Sequence, residues 1–141
     1  DVVATDHAPH TLEEKNNNYL NCPSGGPMVQ HSLNAMFEHY LSKRISLEKI
    51  VEKMCHNPAI LFRIKNRGYI RKNYFADLVI LNPNKSYTVD KSNILYKCGW
   101  SPFEGVKFSN SIESTFVNGD RVFHKGNIFE KQNGKRLTFK R

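Results

Sequence analysis

Cysteine is scarce in this sequence, and the arrangement of the few cysteines excludes two common kinds of small domain. There are three, Cys22, Cys55 and Cys98, an odd number without a Cys-x-x-Cys pair. A disulfide framework needs paired cysteines, and a structural zinc site needs closely spaced ones. We therefore expect reduced thiols, with Cys55 buried as core filler on the apolar face of a helix.

Long apolar runs are also missing. No stretch of about 18 apolar residues occurs, so no transmembrane helix is predicted. The first residues lack the basic start and apolar stretch of a signal peptide. Because 39% of the 141 residues are hydrophobic, there are enough apolar side chains for one ordinary core. These features predict a folded, cytoplasmic protein without a membrane partner.

Acidic residues are outnumbered by basic ones, which gives a net charge of +8. Lysine and arginine are dense at residues 63–72 and 131–141. Such an excess occurs in nucleic-acid-binding proteins, but the chain lacks a ribonucleoprotein aromatic signature, a zinc finger and a basic zipper. Interspersed acidic residues are typical of a solvated surface. We therefore expect no nucleic-acid partner, and keep a nucleic-acid-binding module as an alternative.

The first ten residues combine an apolar run with a polar end. Residues 2–4 are small and apolar, which is typical of a strand covered on both faces. Pro9 has no amide hydrogen to donate and ends such a strand. Asp6 and His10 are therefore expected near the strand end, where an active site would lie.

A long polar connection follows, from Thr11 to Pro27. We expect it to lack secondary structure of its own, and a loop of this length is usually a functional lid or binding loop. Composition alone leaves a disordered surface excursion as an equal alternative. Gly25 and Gly26 permit a close approach of the backbone to a ligand. Pro27 suits the first position of a helix.

Helical periodicity covers the next part of the chain. Apolar residues spaced three and four apart predict a helix from Pro27 to about Leu41, with His31 and His39 facing solvent. Ser46 is a good N-cap for a second helix. Asn57-Pro58 predicts the start of a short third helix.

After Arg67 the pattern changes to that of short strands. Residues 68–70 and 77–81 are predicted as strands, joined by a turn at Lys72-Asn73 in which Asn73 takes a left-handed conformation. The chain is therefore expected to place one strand first, two or three helices next, and several antiparallel strands last.

The strongest turn signal is Asn118-Gly119, which predicts a hairpin between residues 112–117 and 121–123. One more strand is expected near Gly126. The aromatic segment Cys98–Gly105 is expected to be irregular. It is interpreted as an aromatic plug on the small sheet, with a binding loop as the alternative.

Several motifs resemble those of a known family. The sequence Asp-His-Ala-Pro-His at residues 6–10, followed by Thr-Leu-Glu-Glu-Lys, is similar to the last barrel strand and following loop of dihydroorotase, a cyclic amidohydrolase. Further matches to the wider amidohydrolase superfamily lie at residues 57–62, 68–70, 76–79, 101–105 and 117–119. The resemblance runs from end to end of the chain.

The resemblance implies an α/β fold with an added β part. It assigns residues 1–64 to the end of a (β/α)8 metal-dependent hydrolase barrel, comprising strand 8, the substrate loop and the closing helices. Residues 65–141 would form a small C-terminal antiparallel β domain. A complete barrel needs about 250 residues. The family's His-x-His pair, bridging lysine and two later metal-binding histidines are absent here, so the isolated chain is expected to be inactive.

The resemblance also implies a reaction, the zinc-dependent, reversible cyclisation of N-carbamoyl-L-aspartate to (S)-dihydroorotate in pyrimidine (UMP) biosynthesis. Asp6 is implied to be both a metal ligand and the catalytic general acid/base. His10 is implied to bind the substrate carboxylate, and Ser24 and Gly25 to contact substrate. His7 is expected to pack beside the site. The implied cofactor is Zn2+, two per complete site; the partner is a small-molecule substrate, and a homo-oligomer is left open.

Two alternative functions remain. One is a hydantoinase-like or allantoinase-like cyclic amidase, whose substrate lacks the carboxylate that His10 would bind. The other is a non-catalytic dihydroorotase-like or nucleic-acid-binding module. The sequence departs from the family pattern at Met28, where glycine is usual, and at Lys72-Asn73, where relatives often have Pro-Gly.

Overall fold

The computed structural model describes residues 1–130 and 134–140, so the basic stretch at 131–141 lies partly outside the described residues. Helices occupy the first part of the chain and strands the second. Among the described residues, no helix has the length and apolar character needed to cross a membrane.

The helices are short and follow one another closely. In chain order they are α1 (Leu12–Lys15), a 3-10 turn (Val29–His31) that leads into α2 (Ser32–Leu41), and α3 (Leu47–Val51), which continues through a π-helical turn (Glu52–His56) into α4 (Asn57–Leu61).

The loop predicted to lack secondary structure contains α1, so that prediction is wrong. Thr11 accepts the backbone N–H of Glu14 on its hydroxyl at 3.2 Å. The Glu14 carboxylate accepts the backbone N–H of Thr11 at 2.7 Å. This reciprocal capping satisfies two N–H groups that a helix start leaves without partners, and it explains why so short a helix forms.

The second helix begins as predicted, because Ser46 accepts the backbone N–H of Lys49 at 3.2 Å. The third helix starts at Asn57, as predicted, but it continues directly from the preceding turn, since His56 and Asn57 keep helical backbone angles. Asn57 donates its backbone N–H to the carbonyl of Glu52, five residues back. This wider turn accommodates Pro58, which lacks an N–H and would crowd a regular helix.

Two side chains lie on faces opposite to those predicted. His31, expected in solvent, is 0% exposed, while Cys55, expected in the core, is exposed. A 3-10 turn has three residues per turn and a π turn has more than four, so each shifts the phase of the helix face. His39, which lies within regular α2, is exposed as predicted.

The strand predicted for the first residues does not form in the described structure. Val3 donates its N–H to the carbonyl of Lys53 at 3.2 Å, and His7 forms an isolated parallel bridge with Gly26. A strand needs a neighbouring strand to pair its backbone groups. Among the described residues none runs beside residues 1–6.

In the part of the chain that the structure describes, the strands form two antiparallel sheets. They are β1 (Leu78–Asn82), β2 (Tyr87–Thr88), β3 (Lys107–Phe108), β4 (Ser111–Val117), β5 (Asp120–His124) and β6 (Asn127–Ile128). The larger sheet has the order β1-β4-β5-β6, and β2 pairs with β3 separately.

The predicted hairpin is confirmed as β4 and β5. Asn118 and Gly119 have φ values of 52° and 91°, the left-handed conformations that a two-residue hairpin turn requires. Asn73 is also left-handed, with φ 67°, as predicted. The strand predicted at residues 68–70 does not form, and Ile70 is 90% exposed.

The buried apolar residues lie on the helices and on or next to the two-stranded sheet, where α2 contacts β3. The most buried of them are Phe37, Ile50, Ala59, Val89 and Phe108. The C-terminal residues return to the end of α4, since Lys65 donates its N–H to Thr138 and Lys140 donates to Arg63. The predicted division between residues 64 and 65 stays a prediction.

Candidate functional site

Asp6 lies at a sharp bend of the backbone. Its φ is 44°, a left-handed conformation that few residues other than glycine adopt, and its side chain is exposed. Immediately after it, Ala8 donates its N–H to the carbonyl of Gly26 at 3.1 Å. The bend therefore persists because the next residues are bonded to the end of the loop.

Gly25 brings the loop against this bend. Its φ is +84°, and a Cβ at this position would lie 2.7 Å from the Cβ of Ala8. The conformational freedom of Gly25 is therefore required by the packing of the chain on itself. Lys15 at the end of α1 donates to the carbonyls of Pro23, at 2.6 Å, and of Gly25, at 3.1 Å. The intervening Ser24 is exposed.

His7 connects the bend to the start of the helices. Its Nδ1 accepts the backbone N–H of Met28 at 3.0 Å and that of Val29 at 3.4 Å. Its ring centroid is 5.3 Å from that of Tyr96. His7 therefore contacts the backbone that leads into the helices and the ring of Tyr96, while its place beside an active site stays a prediction.

His10 is partly exposed and has two neighbours of different kinds. Its Nδ1 is 3.6 Å from the Glu14 carboxylate, and its backbone carbonyl accepts the indole N–H of Trp100 at 2.7 Å. The bonds from Thr11, and more weakly the charge of His10, lower the pKa of Glu14 below its ordinary value of 4.5. Glu14 therefore stays ionised at neutral pH. Because Nδ1 of His10 faces the Glu14 carboxylate, Nε2 is the ring nitrogen that faces away from it.

The aromatic segment Cys98–Gly105 is irregular, as predicted, and reaches both the core and the loop. Phe103 packs against His31 and against Phe108 of β3, with ring centroids 5.6 Å apart in each case. Trp100 contacts the loop. Sequence reasoning did not connect Trp100 or His31 with the site, because no local pattern indicates a contact across so many residues.

The structure brings Asp6, His10 and Gly25 into one small region. The backbone bridge between His7 and Gly26 joins the segment that carries Asp6 and His10 to the loop that carries Ser24 and Gly25. All four residues predicted to form the site therefore lie on two joined segments.

The described residues do not form a complete metal site. Within residues 1–130 and 134–140, no group of three or more His, Cys, Asp or Glu side chains is placed to hold a metal ion. Zinc sites use three or four protein ligands. Of the ligands expected from the sequence, this chain contains Asp6 alone, so its residues by themselves do not fit zinc.

Comparison with known proteins identifies the family. The Amidohydrolase family model matches residues 1–122. The chain belongs to the amidohydrolase family. Among curated amidohydrolase relatives, the dihydroorotase of Pyrococcus furiosus is 33% identical over 139 residues, which cover 99% of this chain and 32% of that protein. The dihydroorotase of Clostridioides difficile is 35% identical over 125 residues, covering 88% of this chain and 29% of that protein.

Solved amidohydrolase structures share the fold. The L-hydantoinase of Arthrobacter aurescens matches with a TM-score of 0.86 and 31% identity over 98% of this chain and 32% of that protein. The D-hydantoinase of a Thermus species matches with a TM-score of 0.85 and 23% identity over 94% of this chain and 30% of that protein. The chain thus spans about a third of the length of its amidohydrolase relatives.

Proposed function

We propose that the full-length protein is a dihydroorotase that reversibly cyclises N-carbamoyl-L-aspartate to (S)-dihydroorotate in pyrimidine biosynthesis. In this proposal residues 1–64 end the (β/α)8 barrel and residues 65–141 form the small β domain. The support comes from curated relatives named dihydroorotase, which are 33% and 35% identical over most of the chain.

The observation that carries the proposal is the placement of Asp6 and His10 on one short segment that is bonded at Gly26 to the end of the loop. We assign Asp6 as the general acid/base, because an exposed carboxylate at a fixed bend can move a proton between water and a substrate nitrogen. We also assign it as one zinc ligand, whose companion ligands would come from outside this chain.

We assign His10 to the substrate carboxylate. Glu14 occupies the Nδ1 side of the ring at 3.6 Å, which leaves Nε2 to donate a charge-assisted hydrogen bond. Ser24 and Gly25 would contact the substrate through the loop backbone. Since Gly25 packs against Ala8, these contacts would be made by a loop that is already held in place.

A second candidate is a hydantoinase-like cyclic amidase. It is favoured by the L-hydantoinase structure, which is 31% identical to this chain. The two candidates differ in whether the substrate carries a carboxylate, and therefore in whether His10 matters for binding.

Replacing His10 by Ala in the full-length protein distinguishes the dihydroorotase from the hydantoinase-like amidase. Loss of a charge-assisted bond should raise KM for dihydroorotate by about ten-fold to a hundred-fold. His39→Ala, at an exposed position of α2, is the matched control and should leave KM unchanged. Unchanged kinetics in His10→Ala would refute the assignment, and turnover of hydantoin without turnover of dihydroorotate would establish the second candidate.

A further inference from the structure

Trp100 lies beside both ends of the loop between His10 and Pro27. It is the single tryptophan of the chain, and its indole N–H donates to the backbone carbonyl of His10 at 2.7 Å. At the other end of the loop, a Cβ on Gly26 would lie 3.5 Å from the ring of Trp100. One side chain therefore spans the start and the end of the loop that carries the proposed substrate-binding residues.

The backbone that follows Trp100 is anchored at Ser101, which is 4% exposed. The Ser101 hydroxyl accepts the backbone N–H of Phe103 at 3.2 Å and lies 3.2 Å from Nδ1 of His31. His31 is fully buried among aromatic rings at the start of α2. The backbone next to Trp100 is therefore fixed by contacts in the core.

The bond from Trp100 is made to the backbone of His10, so it leaves the imidazole free to bind a ligand. The backbone of His10 is held further by its own N–H, which donates to the carbonyl of Ala8 at 2.9 Å. On the side chain, Glu14 restrains one ring nitrogen. A group ordered in this way before the substrate arrives loses less conformational entropy when it binds.

We propose that Trp100 is a positioning residue that orients His10 towards the substrate carboxylate, an inference that rests on the proposed function. Trp100 acts through the backbone of His10 and does not touch the substrate. Its loss should weaken substrate binding, while the proton transfer assigned to Asp6 continues at nearly the same rate.

Steady-state kinetics of Trp100→Phe in the full-length protein test this role. Loss of the N–H donor should raise KM for dihydroorotate by about three-fold to ten-fold and leave kcat within about two-fold. Phe129→Leu, beside the four-stranded sheet, is the control and should change neither value. In a His10→Ala background, Trp100→Phe should raise KM by less than about two-fold, because both substitutions remove the same interaction with the substrate. Fully additive effects on KM, or a fall in kcat alone, would overturn the inference.

Backbone hydrogen exchange separates this inference from the proposed function. In the full-length protein, Trp100→Phe should speed exchange at residues 6–14, and Phe129→Leu should not. Equal exchange in wild type and Trp100→Phe would overturn the positioning role whatever the substrate. If the wild-type protein turns over neither carbamoyl-aspartate nor dihydroorotate, the proposed function fails and the inferred role towards a carboxylate fails with it. Faster exchange in Trp100→Phe would then show only that the indole orders the loop.

Discussion

In the four-stranded sheet each strand pairs with another strand of this chain, whereas residues 1–6 have no strand beside them in the described structure. The sheet is held by regular backbone ladders, such as the pairing of Leu78 with Phe116. The site region at residues 1–31 is held instead by single contacts between distant groups. Among these are the bonds from Lys15 to the loop and from Trp100 to His10.

The difference shows which part of the chain is self-contained. Backbone groups of β4 and β5 are satisfied locally through the Asn118-Gly119 turn. The apolar residues 2–4 have the pattern of a strand covered on both faces, but the described residues do not supply the neighbours that such a strand requires. In the proposed function, residues 1–64 end a (β/α)8 barrel, and those neighbours would lie in the part of the barrel outside this chain.

The largest expected effect is on kcat, and it comes from a substitution in the site region. Asp6→Asn in the full-length protein should lower kcat for dihydroorotate by about a hundred-fold to ten-thousand-fold, since it removes the proposed general acid/base. The free energy of unfolding should hardly change, because the Asp6 side chain is exposed. Glu48→Gln on α3 is a matched removal of an exposed charge and should keep full activity. An Asp6→Asn protein with wild-type kcat would remove Asp6 from the mechanism.

The next largest effect is expected on stability, and it differs between a glycine of the site region and a glycine of the four-stranded sheet. Gly25→Ala combines a positive φ with a contact of 2.7 Å to the Cβ of Ala8. Strain and overpacking together should cost about 2–4 kcal/mol. Gly119→Ala has φ +91° but nothing within 4 Å of its Cβ, so strain alone should cost about 1 kcal/mol.

Chemical denaturation of both variants in the full-length protein measures this pair of values, and the kinetics give a second readout. Gly25→Ala should also raise KM, because the loop moves away from the segment that carries His10. Gly119→Ala should leave KM at its wild-type value. Equal losses of stability in the two variants would contradict the close approach seen at Gly25.

A smaller effect is expected from the capping of α1. Thr11→Ala removes the hydroxyl that accepts the N–H of Glu14 and should destabilise α1 by about 1 kcal/mol. The change should be detected mainly as faster hydrogen exchange at residues 12–16. Ser46→Ala removes an equivalent cap from α3 and is the matched control. Only the Thr11 variant should alter KM, since α1 holds the loop through Lys15. Altered KM in the Ser46 variant alone would reverse this assignment.

The smallest expected effect is on the pH dependence of stability. Burial lowers the pKa of His31 from its ordinary value of 6.5. Below pH 6.5 the unfolded chain then binds more protons than the folded one, so stability is fully present above this pH and decreases as pH falls towards the folded pKa. Thermal unfolding from pH 7.5 to pH 5 should show a smaller decrease in His31→Phe than in wild type. His39→Gln, at an exposed position, should follow the wild type, and a wild-type slope in His31→Phe would contradict the burial argument.

The sequence predicted best those features that depend on neighbouring residues. The turn at Asn118-Gly119, the left-handed Asn73 and the cap at Ser46 are all confirmed. Helix α1 could also have been predicted, because Thr11 and Glu14 have the spacing of a capping box.

Features that depend on helix phase or on distant contacts were not predictable. A 3-10 turn before α2 buries His31, and a π turn within the next helix exposes Cys55. No periodicity in the sequence indicates either turn. The bond between Trp100 and His10 joins residues 90 positions apart, and no local propensity encodes it. The site roles of Asp6, His10, Ser24 and Gly25 came from the family resemblance and stay predictions.

Hydrogen exchange of residues 1–6, compared between the isolated 141 residues and the full-length protein, tests most directly the claim that this region is completed from outside the chain. Residues 112–124 serve as an internal standard, and should be protected in both samples because β4 and β5 pair within the chain. Val2, Ala4 and Thr5 should exchange rapidly in the isolated chain and slowly in the full-length protein, whereas Val3 already donates its N–H to Lys53. Rapid exchange of Val2, Ala4 and Thr5 in the full-length protein, with the hairpin protected, would contradict the account.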